Sequence, residues 1–257
     1  MLFCYPSLRI TYYGIGILLV VGSAVFTSYH PNLLFLDLIF AILFVVVLVL
    51  VLTKIARKMF TKEVISLLQN CHVREYMDKL DKRMGKIRTP RMISSYVAFS
   101  ALGYNMLGDY DAAFDCCQKI TSDECKPDYY RFMIDYYLNK GLFDQADKTL
   151  CDFKAFAAGT KKKNVIKLCN KLMSDCENAI KFRKGMLDGL EEYYTQRLNS
   201  DQVSKVLISR VSFSHALGKL LILKGEPDRA KEYLQFARDN AGDTKFKALA
   251  EKLLSEI

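Results

Sequence analysis

Two apolar runs of 20 residues, Ile10–Tyr29 and Leu33–Leu52, lie three residues apart at the start of this chain. Twenty helical residues rise about 30 Å at 1.5 Å each, the thickness of a bilayer's hydrocarbon core. Each run therefore predicts a membrane-crossing helix. Pro31, within Tyr29-His30-Pro31-Asn32, separates the two. A secretory signal would carry a more basic start and a small-residue cleavage site. Here only Arg9 precedes the first run, no such site follows, and the second run begins at once. Residues 1–53 read as a two-helix transmembrane hairpin.

Charge divides the 257-residue chain at the same place. Before Lys54 the only formally charged side chains are Arg9 and Asp37, yet the whole chain carries +9. Lys54–Arg91 holds eleven basic residues and four acidic ones, a local excess of +7, whereas Met92–Ile257 is nearly balanced at +2. Residues 54–91 are accordingly read as a basic juxtamembrane helical linker. Lysine and arginine beside a span set its orientation and attract anionic headgroups, at about 1 kcal/mol each near the surface. Lys54, Arg57, Lys58 and Lys62 are assigned to lipid headgroups, and no nucleic-acid partner is expected. The hairpin turn has no Lys or Arg, so both termini are placed in the cytoplasm.

Asp37 is the one ionisable side chain inside the two runs. Intramembrane carboxylates mark ion or proton sites by default. Four residues into the second run, Asp37 reads instead as a solvated carboxylate near the far interface. Gly14, Gly16, Gly22 and Ser23 offer a small-residue face for packing the first run on the second.

Eight cysteines are present, but no C-x2-C pair, and the only histidines are His30, His72 and His215. Structural zinc needs tetrahedral ligand sets from closely paired residues, so no metal site is assigned and the thiols read as core residues of a reducing compartment. Nucleotide, metalloprotease and serine-hydrolase motifs are absent. Paired carboxylates such as Glu191-Glu192 fall on ordinary polar stretches. No catalytic residue and no cofactor is assigned, and the chain is expected not to be an enzyme.

The remaining sequence repeats. An aromatic residue or Leu stands four positions before a Gly, an Ala five after it, and an apolar residue seven beyond the Ala. The three copies are Tyr104–Gly108–Ala113–Ile120, Tyr137–Gly141–Ala146–Phe153 and Leu221–Gly225–Ala230–Ala237. Gly at a helix C-terminus supplies the left-handed turn, and Ala lets the following helix cross closely. From Gly108 to Gly141 is 33 residues, while from Gly141 to Gly225 is 84, room for a further divergent hairpin from helices near Asn164–Arg183 and Met186–Leu198. Lys62–Met84 is helical as well, either a first hairpin or an extension of the second span.

With Leu217-Gly218, Ala101 and the residues just named, the pattern resembles the tetratricopeptide repeat (TPR) family. Trp is absent, Cys117 and Leu150 replace the aromatic after Ala, and the closing Pro is displaced. The arrangement as a whole is similar to membrane-anchored TPR proteins of Gram-positive bacteria. The resemblance implies an all-α chain: the N-terminal hairpin, then a TPR-like α-solenoid over residues 92–257, capped by an amphipathic helix within Thr244–Ile257. It also implies a groove lined by first helices and able to hold a peptide. Asn105, Arg131, Asp135, Asn139, His215 and Lys219 are the candidate groove residues. The expected role is a non-catalytic scaffold or adaptor at the cytoplasmic membrane face, binding a protein or peptide partner. The alternative is a structural or regulatory subunit that binds a membrane complex through the hairpin itself.

Overall fold

The computed structural model describes residues 4–30, 32, 34–86 and 89–257. Pro31 as helix separator, Leu33 as the first residue of the second span and Arg88 of the basic stretch lie outside them. Among the described residues there is helix and no strand. The chain forms two compact units, Met1–Ser66 and Leu67–Ile257.

In the first unit, α1 (Pro6–Tyr29) and α2 (Leu34–Phe60) are both long and apolar enough to cross a membrane. They pack against each other, and Tyr5 at the start of α1 donates its hydroxyl to Glu63 Oε2 at 3.1 Å. The second helix does not stop at Leu52. It continues through a single π-helical turn (Thr61–Ile65) into α3 (Ser66–Gln69), so the first part of the Lys62–Met84 pattern extends α2. The small residues of α1 act differently from expectation. A methyl group built on Gly14, Gly16 or Gly22 would meet nothing within 4 Å, so these glycines do not mediate close helix contact. The two helices leave instead an apolar groove of about 760 Å³, lined in part by Gly16, Ser23, Ala24 and Ala41. Polar groups tie the helices together: Asp37 accepts hydrogen bonds from Ser23 and, at 3.4 Å, from Thr27 Oγ1. The carboxylate is therefore partnered across the hairpin, where sequence reading left it to solvent.

The second unit continues with α4 (Val73–Met84), α5 (Pro90–Leu107), α6 (Tyr110–Cys117), α7 (Lys126–Asn139), α8 (Phe143–Gly159), α9 (Lys163–Arg183), α10 (Leu190–Asn199), α11 (Asp201–Ser204), α12 (Leu207–Leu223), α13 (Pro227–Asn240) and α14 (Phe246–Ser255). One turn recurs between them. Gly108, Gly141 and Gly225 have φ of +88°, +73° and +79°, a region that side chains with Cβ resist. After each, the next amide reaches back to the carbonyl of Tyr104, Tyr137 or Leu221 at 2.9 Å, closing the helix end as a Schellman motif. Asp109 then caps α6 by accepting from Ala112 N at 3.0 Å.

The same bonds appear twice more. Met186 N reaches Lys181 O at 3.0 Å around Gly185, and His72 N reaches Leu67 O at 2.9 Å around Cys71. Cys71 is the only described non-glycine residue with positive φ, at +64°. Five helix ends thus share one turn. The first was hidden in the sequence because cysteine occupies the glycine position.

Beyond each glycine of the three sequence copies the chain packs as its residue sizes dictate. Ala113, Ala146 and Ala230 are buried where α5 meets α6, α7 meets α8 and α12 meets α13, and Ile120, Phe153 and Ala237 are buried after them. On α9, Val165, Cys169, Leu172, Cys176 and Ile180 fall at helical spacing and bury one stripe, while Lys167, Lys171 and Lys181 stay exposed. That stripe meets Ile134, Ala146 and Phe153 of α7 and α8, each large side chain contributing about 2 kcal/mol by burial. Burial also pushes the Cys117 thiol up to about 12, which makes it an inert core group. The helices expected to form a divergent fourth hairpin divide their packing. The α9 helix lies on α7 and α8, and α10 lies on α12, with Asp175 of α9 bridging to Tyr193 and Arg197 of α10.

The unit is closed by contacts between its two ends. Asp243, in the α13–α14 connection, accepts from Val73 N at 2.6 Å and Arg74 N at 2.8 Å, capping α4 from 170 residues away. Asp243 N bonds Cys71 O at 3.2 Å, and Lys245 N bonds Met106 O at 2.8 Å. The segment before α14 is stitched to the start of α4 and the end of α5.

Candidate functional site

The inner sides of these helices enclose a cavity of about 900 Å³. Most of its wall comes from α5, α7, α9, α10, α12 and α14, with Leu68 of α3, Tyr110 of α6 and Val203 of α11 completing it. Asn105, Arg131, Asp135, Asn139, His215 and Lys219 all line it. The arrangement follows from spacing. Arg131, Asp135 and Asn139 are four apart on α7, and His215 and Lys219 are four apart on α12, so each set shares a helix face.

On the α5–α7 side the polar groups satisfy one another. Lys245 Nζ donates to Asn105 Oδ1 at 2.9 Å, and Asn105 Nδ2 donates to Asp135 Oδ2 at 3.2 Å. Asn105 is thus a buried link rather than a free groove contact, which corrects its placement as a non-core position. Asn139 Nδ2 donates to the Asp135 carbonyl at 2.8 Å, and its Oδ1 accepts from Arg183 Nη2 at 3.0 Å. Burial raises the Asp135 carboxyl above its ordinary range, against the opposing pull of Lys245 and Arg131. Arg131 rests over the Phe132 ring at 4.4 Å and pairs with Asp128 at 3.4 Å, its buried Nε without a hydrogen-bond partner.

The α12 side is different. His215 Nε2 is buried and unpartnered, and burial, helped by Lys219, Lys245 and Arg183, brings the imidazole down to about 4. It is neutral at pH 7. Burial likewise lowers Lys219, with Arg183 and Lys252 adding repulsion. Lys171, Arg183, Arg197, Lys245 and Lys252 join the cavity wall. Sequence reading passed over them because they lie on α9, α10 and around α14, outside the three motif copies. For α14 a signal did exist: Lys245, Leu249, Lys252 and Glu256 recur at helical spacing, and all four face the cavity.

The membrane-side candidates lie elsewhere. Lys54, Arg57 and Lys58 are exposed near the end of α2, and Lys62 is exposed on the π turn. Among the described residues no group of three or more His, Cys, Asp or Glu is placed to hold a metal. Comparison with family models, with curated proteins and with solved structures finds no match to this chain.

Proposed function

We propose that this chain is a membrane-anchored, non-catalytic interaction module whose cavity receives part of a protein partner. One observation carries the reading: side chains from helices far apart in sequence converge on a single cavity of about 900 Å³, its wall set with both apolar and charged side chains. The repeated Schellman turns and buried alanines support a TPR-like reading of the second unit. In that reading α14 occupies the place of the terminal cap and completes the binding surface. The two apolar helices and the exposed basic residues at the end of α2 support anchoring at a bilayer, with both termini on the cytoplasmic side and anionic headgroups beside Lys54, Arg57, Lys58 and Lys62. Confinement to a surface raises the encounter rate of weak partners without new contacts.

The test is crosslinking capture from native membranes, comparing the wild type with Leu249→Trp. Leu249 is 40% exposed and lines the cavity, so a larger side chain there narrows the space without altering its charges. At least one specific partner should be lost. Retention of every partner would remove the cavity from the function. The groove between α1 and α2 supports the competing reading, in which the hairpin docks into a membrane complex. Exchanging residues 6–60 for an unrelated two-span anchor separates them, since hairpin docking requires partner loss in the exchange and not in Leu249→Trp.

A further inference from the structure

The cavity contains more positive charge than its own carboxylates neutralise. Arg183, Lys219 and Lys252 reach it from α9, α12 and α14. Among the described residues none of the three has a carboxylate partner. Arg183 donates to the Asn139 amide, and the Lys219 ammonium lies 5.6 Å from the centroid of the Phe182 ring. The acidic groups in the wall are engaged elsewhere or lie at its edge. Asp175 is held by Tyr193 and Arg197, Asp135 accepts from Asn105 and is shared electrostatically among Lys245, Arg131 and Arg183, and Glu256 is exposed just past the end of α14. Lys219 is half-buried within reach of the exposed Arg183 and Lys252, whose like charges act on it, and a bound anion relieves that repulsion.

Building on the reading of this cavity as the binding site, we propose that it holds a phosphate monoester carried on an aromatic or apolar body. Arg183, Lys219 and Lys252 meet the phosphate oxygens, and the rings of Phe182 and Phe213 face the body. A phosphate monoester carries about −1.5 to −2 charge at pH 7, a closer match to three cations than the single charge of a carboxylate. A guanidinium fork and two ammonium groups suit several oxygens on one tetrahedral centre. The cavity volume of about 900 Å³ falls within the range of roughly 300–1,000 Å³ typical of small-ligand sites.

The experiment is isothermal titration of the full-length protein in phosphatidylcholine nanodiscs with phenyl phosphate, inorganic phosphate and benzoate. Phenyl phosphate should bind saturably and most tightly, and more weakly as salt rises. Lys219→Met should weaken it about tenfold, as expected for one charge-assisted hydrogen bond. Lys252→Gln, at an exposed position, should weaken it in the same direction. Absence of saturable binding by a protein that still melts cooperatively would overturn the proposal, as would affinity unchanged in both variants. Benzoate binding as tightly as phenyl phosphate would overturn the phosphate assignment in favour of a carboxylate. Adding phosphatidic acid to the discs distinguishes the source of the monoester: unchanged affinity leaves the phosphate to the protein partner, whereas competition assigns it to a lipid headgroup. The two readings fail separately, since partner loss in Leu249→Trp without phenyl phosphate binding leaves the interaction module standing and removes only its phosphate.

Discussion

Gly242 has φ of +56°, and a Cβ added there would lie 2.3 Å from the Cys71 carbonyl oxygen. Both the backbone angle and the contact oppose any side chain. Gly242→Ala should therefore destabilise the protein by about 2 kcal/mol or more, read as a lower urea midpoint in micelles. Gly185→Ala, with a similar φ of +77° but nothing within 4 Å of its Cβ, should cost less because only the angle is strained. His215 supplies a different residue-scale effect. Its pKa falls from an ordinary 6.5 to about 4 in the folded protein, so between those values the unfolded chain binds more protons. Stability then falls as pH drops from about 6.5 to about 4, by an amount of order 2–3 kcal/mol. His215→Gln should show a smaller loss over that window, measured as the difference in thermal midpoint from the wild type. Equal losses in both proteins would show that His215 is not the group being titrated.

At the scale of elements, α4 owes its first turn to a residue far down the chain. No local side chain caps it at His72, and the Asp243 carboxylate accepts from the Val73 and Arg74 amides instead. A carboxylate at a helix N-terminus also complements the helix dipole. Asp243→Ala should cost about 1–2 kcal/mol, and hydrogen exchange should speed up at the first amides of α4 before it changes in α8. Local pattern located α5, α7, α12 and α13 through the Gly–Ala repeat, and α9 through apolar residues at helical spacing. It could not show that α9 would lie on α7 and α8 while α10 went to α12, since both have apolar faces that several partners would suit. The Cys71 turn was missed for a related reason. Cysteine is a poor signal for positive φ, and here the closing hydrogen bonds and the contact with the Gly242 segment hold it there.

For the molecule as a whole, the orientation proposed for the membrane hairpin has a direct check in the thiols. Cys71 is fully buried, and burial with the nearby Asp243 carboxylate pushes it up to about 11, so it is a poor reporter. Cys151 is exposed on α8. With both ends inside, a membrane-impermeant maleimide should label Cys151 only after cells are permeabilised. Labelling in intact cells would place the second unit outside.

The sequence by itself determined the helical class, the two long apolar helices and three of the five repeated turns. Each depends on properties of neighbouring residues: run length, helical spacing, or a missing Cβ at Gly108, Gly141 and Gly225. It also marked six side chains that line the cavity, five of them because residues four apart on one helix share a face. Tertiary structure alone decided the rest. The capping of α4 by Asp243, the Lys245–Asn105–Asp135 chain and the convergence of Arg183, Lys219 and Lys252 join positions tens to well over a hundred residues apart. Such pairings depend on which helices pack together, and no periodicity within a single helix encodes that choice.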